Sequence, residues 1–301
     1  MSIIPPYLRP GDTIGITCPA SKMERASAEY AAEVLASWGY RTIIGNTAGA
    51  NFHNFSATDK VRLQELQQML DDDDMQAILF GRGGYGVVRI LDRIDFSHFK
   101  KFPKWICGYS DITALLIHLH TRYHTASIHS LMCSGITPET KDDPFVRSLK
   151  QTLSGEKAKC SFSPGALNRK GICEGELIGG NLSLLANLSG TVSQPDTKDK
   201  LLFVEDVGEY RYSVDRMMIN LKRSGWLKDL SGLIIGSFNE SKETETPFGQ
   251  TEYEMIWDKV KEYQYPVCFG FPVGHQKQNY ALKVGGEYRL VISDNCVLEE
   301  I

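Results

Sequence analysis

The stretch 77-AILFGRGGYGVVRIL-91 decides how the chain is read. A short apolar run, AILF, is followed by four glycines in six residues (Gly81, Gly83, Gly84 and Gly86), and then by a run, YGVVRILDRI, with helix-like spacing. A buried strand that ends in glycines and turns into a helix is the unit of a parallel α/β sheet. The spacing Gly81-x-Gly83-x-x-Gly86 also matches the dinucleotide fingerprint G-x-G-x-x-G. That fingerprint normally occupies the first βα turn and is followed by an acidic residue about 20 positions later. Here it follows the third strand candidate, and the corresponding region, KKFPKWIC at 100–107, holds no carboxylate. No G-x-x-x-x-G-K-[ST] motif is present either. Nucleotide binding and a nucleotide-dependent oxidoreductase are therefore disfavoured. Two readings of the glycines remain: a tight turn with close helix packing, or bare backbone N–H groups facing an anion or oxyanion.

On both sides of this stretch, strand-like and helix-like segments alternate: TIGITCPA, MERASAEYAAEVLASWGY, TIIGNT, ATDKVRLQELQQMLDD, QAILF, KWICGY, DITALLIHLHTRY and TASIHS. This predicts an α/β fold whose N-terminal sheet is mostly parallel and flanked by helices, with ligands at the carboxyl ends of its strands. The N-terminal domain is placed at 1–148. Residues 149–174, rich in Gly, Ser, Pro and Lys, read as a linker. A smaller mixed α/β domain is placed at 175–301, closing with a β-hairpin at Gly285-Gly286.

The 301 residues carry 42% hydrophobic and 23% charged side chains and a formal net charge of −4. This composition is that of an ordinary globular protein, without the basic stripe of a nucleic-acid binder. No apolar run is long enough to cross a bilayer, and the N-terminus does not read as a signal peptide. The seven cysteines are scattered without a C-x-x-C pair, which points to reduced thiols and a cytoplasmic location. Asp71 to Asp74 read as a solvated turn. His120 and His124 share a helical face, but no further ligand completes a metal site, so neither metal nor cofactor is expected.

The next strand-to-helix junction is 105-WICGYSDITALL-116. Ser110, preceded by Gly108 and followed by Asp111, is placed either as an ordinary helix N-cap or as a nucleophile on a sharp turn. A nucleophilic serine needs a base and the base an orienting acid. His275, on the Gly-flanked loop GHQKQN, and Glu205, at the end of the apolar run LLFVE, are candidates for those roles.

GRGGYG, GYSD, GGNLSLL, LFVEDVGE and GHQKQN occur in one order along nearly the whole chain. In this the sequence resembles the LD-carboxypeptidase family of serine peptidases, which includes muramoyl-tetrapeptide carboxypeptidases and microcin-C immunity peptidases. The resemblance implies a Ser110–Glu205–His275 triad between an N-terminal α/β domain and a C-terminal mixed domain. It also implies a metal-free homodimer that releases the terminal D-alanine of murein tetrapeptides in peptidoglycan recycling. The alternative is a self-immunity amidase acting on aminoacyl- or peptidyl-nucleotides; a non-catalytic ligand-binding member is the more distant reading. On this mapping the backbone N–H groups of Gly84 and Asp111 form the oxyanion hole. Arg82, Gly83, Gly180 and Asn181 line the substrate side, with Arg82 a candidate for the free carboxylate. The chain departs from the family pattern at HSLM (129–132), where His-Gly-Pro-Met is usual, at ALKVG (281–285), and in the ETETPFGQTEYE connection (243–254).

Overall fold

The computed structural model describes residues 2–301. The N-terminal half runs β1 (Thr13–Thr17), α1 (Arg25–Ser37), β2 (Arg41–Ile44), α2 (Asp59–Asp71), β3 (Ala77–Phe80), β4 (Trp105–Gly108), α3 (Thr113–Tyr123), β5 (Ser127–His129) and α4 (Pro144–Ser154). The C-terminal half adds β6 (Lys159–Phe162), β7 (Gly171–Asn181), α5 (Leu182–Leu188), β8 (Leu201–Val207), α6 (Arg211–Arg223), β9 (Gly232–Asn239) and α7 (Glu252–Val260). It closes with β10 (Val267–Phe269), β11 (Leu282–Val284), β12 (Glu287–Ile292) and β13 (Cys296–Glu300).

The first sheet has the order β11-β5-β4-β3-β1-β2 and is parallel except for β11. Its central strands TIGIT, AILF and WICG are buried at every position, because helices cover both faces. The edge strand β2, RTII, alternates between exposed and partly buried residues. The second sheet, β10-β9-β8-β7-β12-β13-β6, is mixed: β7 to β10 are parallel, while β12, β13 and β6 pair antiparallel. Local signals set the helix ends. Thr58 caps α2, Pro144 opens α4 and a left-handed Gly155 closes it, and a Thr251–Glu254 capping box starts α7.

One hydrophobic cluster runs from Leu66 and Phe80 in the first half through Leu177 and Phe203 to Leu298, so the two sheets share a core. Backbone and side chain also stitch them together. Asn181 N–H, at the end of β7, donates to Thr113 Oγ1 at the start of α3 (3.1 Å).

Three sequence expectations change. Residues 149–174 are not a bare linker: they hold the end of α4, all of β6 and the start of β7. Leu149 and Leu153 pack in the first core, while β6 pairs with β13. The polar composition belongs mainly to the connections 155–158 and 163–170, which flank a short strand whose partner lies far along the chain. Gly285-Gly286 is not a hairpin turn but a crossing between sheets: β11 pairs with β5 in the first, β12 with β7 and β13 in the second. The closing hairpin is β12–β13, turning at 293–295. Finally, the helix-like run at 85–94 forms two short 3-10 turns, Val87–Arg89 and Leu91–Arg93. Gly86, at φ 144°, starts the first outside helical geometry.

Candidate active site

The serine comes first. β4 ends at Gly108, Tyr109 is extended, and Ser110 sits at φ 63°, one residue into the short 3-10 turn that feeds α3. A left-handed non-glycine residue costs about 1–3 kcal/mol and persists only where its surroundings impose it. An ordinary N-cap is extended, so this backbone matches the sharp-turn reading.

The glycine loop lies directly against this turn. A Cβ on Gly83 would stand 2.8 Å from Ser110 Cβ, 3.0 Å from its Oγ and 3.4 Å from the Asp111 nitrogen. Glycine is required because the loop backbone touches the serine. The loop's end is held from two sides. The buried Asp111 carboxylate accepts from Val87 N–H at 2.8 Å, and the buried Arg62 guanidinium donates to Gly86 O at 3.0 Å. Burial pushes the Asp111 carboxyl up to about 6, against the opposing pull of the Val87 N–H and the Arg62 charge. Among the described residues, the N–H groups of Gly84 and Asp111 donate to no protein acceptor.

The candidate base, His275, lies on the loop between β10 and β11, and its partner Glu205 on β8 of the second sheet. β8 carries apolar residues into Glu205, which is fully buried. His275 Nδ1–H donates to Glu205 Oε2 at 2.7 Å, and the His275 backbone N–H reaches the same oxygen at 3.2 Å. Gly274, at φ 109°, admits this approach: a Cβ there would lie 2.6 Å from Glu205 Oε2. Burial alone would lower the His275 pKa, but the hydrogen bond to Glu205 and the charges of Glu205, Asp206 and Glu240 outweigh it and raise it. With Nδ1 engaged, Nε2 is the nitrogen left to take up a proton.

Ser110 and His275 open onto one cleft of about 380 Å³ together with Arg82, Gly83 and Gly84. Ser110 Oγ has no hydrogen-bond partner among the described residues, and such contacts often tighten only when substrate binds. Arg82 is exposed and, among the described residues, forms no ion pair. The cleft thus combines a free hydroxyl, an acid-oriented imidazole, unengaged backbone N–H groups and an unpaired cation.

Gly180 and Asn181 are not in that cleft. A Cβ on Gly180 would lie 2.6 Å from Thr113 side-chain atoms, and Asn181 is buried, capping α5 and donating to Asp206 Oδ1 at 3.0 Å. The GGN motif occupies the seam where the second sheet meets the first turn of α3. Neither residue lines the cleft that holds Ser110 and His275. Asp206 ties the same seam through Ser183 N–H (2.9 Å), and its carboxyl is pushed up to about 7, mainly by burial and then by adjacent Glu205.

The other singled-out residues have structural partners. His118 Nδ1 meets Ser193 Oγ at 2.7 Å, His120 pairs with Glu176 at 3.2 Å, and His124 is the left-handed C-cap of α3. No three His, Cys, Asp or Glu among the described residues are grouped to hold a metal. All seven cysteines are free thiols. The ALKVG departure places Lys283 in an interior ion pair with Glu300 (2.7 Å), away from the cleft. The 243–254 connection clamps α6 to α7 through Arg211, which pairs with Glu243 and with Glu252. Within HSLM, Met132 reaches the cleft wall.

One supporting residue, Arg62, and the side-chain contact of Asp111 were not anticipated from the sequence. Arg62 stands on the buried stripe of α2 with Leu66, Met69 and Leu70, and an arginine on an apolar stripe signals a buried partner. The Asp111 carboxylate gave no such signal, because its partner lies in the glycine loop.

The site thus sets a serine on a left-handed turn and an imidazole–carboxylate pair on a two-sheet α/β frame. The LD-carboxypeptidase N-terminal domain model matches residues 14–130 and the LD-carboxypeptidase C-terminal domain model residues 174–290. The chain belongs to the LD-carboxypeptidase family. It is 34% identical to a probable murein peptide carboxypeptidase of Bacillus subtilis (strain 168), over 98% of this chain and 94% of that one. The crystal structure of a muramoyltetrapeptide carboxypeptidase from Oxalobacter formigenes matches with a TM-score of 0.87 and 29% identity, covering 96% of this chain and 98% of its own. The microcin C7 self immunity protein MccF, in complex with aspartyl sulfamoyl adenosine, shares the fold (TM-score 0.87, 21% identity, 99% and 98% coverage).

Proposed function

We propose that this protein is a serine carboxypeptidase that cleaves an L,D peptide bond and releases the terminal D-alanine of murein tetrapeptides. One observation carries the reading: His275, held by Glu205 at 2.7 Å, lines the same cleft as Ser110 on its left-handed turn. Family membership and the murein peptidase relatives support the substrate class.

Ser110 Oγ attacks the scissile carbonyl while His275 Nε2 takes its proton. Glu205 fixes the imidazole tautomer and stabilises the charged ring. The N–H groups of Gly84 and Asp111 stabilise the oxyanion, each worth roughly 2.7–4 kcal/mol of activation free energy in comparable sites. His275 then protonates the departing amine, and water activated by the same imidazole hydrolyses the acyl-enzyme. Arg82 receives the free terminal carboxylate, which distinguishes a carboxypeptidase from an internal peptidase. The chain acts as a homodimer in the cytoplasm, where seven free thiols remain reduced.

A second reading, hydrolysis of aminoacyl- or peptidyl-nucleotides, is favoured by one feature. Tyr85, 48% exposed within the glycine loop, offers a ring face for a base. Release of D-alanine from a purified tetrapeptide, measured beside hydrolysis of an aminoacyl-sulfamoyl-nucleoside, tests the choice. Turnover of the nucleoside alone would replace the first reading with the second.

A further inference from the structure

His129 lies in β5 opposite Gly108 of β4, two residues before Ser110, and is fully buried. The proposed mechanism does not use it. Its Nε2 is 3.3 Å from Asn279 Oδ1, and that oxygen also accepts the N–H of Gly274 at 3.0 Å, the residue before His275. Because the Asn279 oxygen already faces one donor, His129 must carry its proton on Nε2 and donate it. Burial holds the His129 pKa down to about 4, so the ring stays neutral across ordinary pH. The aromatic packing repeats the connection. Tyr109, which precedes Ser110, lies 5.7 Å from the His129 ring and 4.8 Å from the His275 ring.

His129 therefore touches the frame of both reacting groups: the strand and tyrosine that deliver Ser110, and, through Asn279, the loop that delivers His275. We propose that His129 and Asn279 are positioning residues that set the distance and tilt of the His275 imidazole relative to Ser110. Neither meets the substrate. The His129–Asn279–Gly274 chain ties the base loop, which runs from β10 of the second sheet into β11 of the first, to β5, the neighbour of the strand that precedes the nucleophile. A plain packing role would need only the ring, which stacks edge-on against Phe203 at 5.0 Å. The donor–acceptor chain is the part that packing does not require.

This inference rests on the Ser110–His275 reading, and the test separates the two. D-alanine release from a murein tetrapeptide and the rate of Ser110 labelling by a fluorophosphonate probe are measured for wild type, S110A, N279A, H129F and H129Q. A misplaced reacting pair costs on the order of 100-fold, so N279A and H129F should lower kcat and the labelling rate together by roughly 10- to 100-fold, with KM nearly unchanged. H129Q, whose amide can still donate to Asn279, should recover most of the loss. Should H129F fail to fold, N279A carries the same test, since it removes the acceptor and leaves His129 in place. Folded N279A with wild-type kcat and labelling overturns the inference, as does H129Q no better than H129F. Activity retained in S110A overturns the underlying reading instead.

Discussion

A side chain at position 83 would collide with the serine at position 110: its Cβ would lie 2.8 Å from Ser110 Cβ and 3.0 Å from Oγ. The glycine loop and the serine turn are therefore one unit, packed backbone against side chain. Gly83→Ala should push the loop off the turn and lower kcat by roughly 100-fold through misplacement. Overpacking should cost about 1–3 kcal/mol of stability. Steady-state kinetics beside thermal melting check both; an Ala variant with normal kcat would show that the loop does not serve the serine.

The His275–Glu205 pair sets the pH dependence. His275 must be neutral to accept a proton, and its pKa lies above the ordinary 6.5. kcat/KM should therefore rise with pH through a midpoint above about 6.5. Glu205→Gln removes the partner that raises the pKa, so the midpoint should move down while kcat falls. The stability linked to this raised pKa has the opposite direction: it is fully present below the unfolded-state value and is lost as pH rises through the folded-state value. An unchanged midpoint in Glu205→Gln would separate the pair from the reaction.

Asn181 divides a seam role from a substrate role. Asn181→Ala leaves the buried Asp206 carboxylate short of a donor and removes the α5 cap. It should cost about 1–3 kcal/mol of stability, read as a lowered Tm with KM unchanged. A raised KM at constant Tm would return Asn181 to the substrate side.

Arg82 makes a prediction about the substrate's end. Arg82→Met should raise KM about tenfold or more for peptides with a free terminal carboxylate, the scale of one charge-assisted contact. Peptides amidated at that end should bind both proteins equally poorly. Equal loss on both substrates would argue that Arg82 shapes the loop instead.

The alternation of strands and helices made the first sheet legible, because its parallel strands are buried on both faces and read as short apolar runs such as AILF and WICG. Ser110 was legible as a position, since a strand ends and a helix begins there, but its left-handed backbone was not. Glu205 and His275 stood out as polar groups at strand ends; their 2.7 Å contact depends on how β8 and the 274–279 loop meet in space. What escaped was long-range pairing. β6 finds β13, and β11 leaves its apparent hairpin to join β5, through hydrogen bonds that no local pattern encodes. The glycines of GGN were ambiguous for a similar reason, because closeness to a ligand and closeness to Thr113 both call for glycine.

The most direct measurement is D-alanine release from a purified murein tetrapeptide by wild type and by Ser110→Ala at equal folded concentration. Release by wild type that disappears in the variant is the expected result. A folded wild type that releases no D-alanine, or a variant that releases it as fast, would contradict the account.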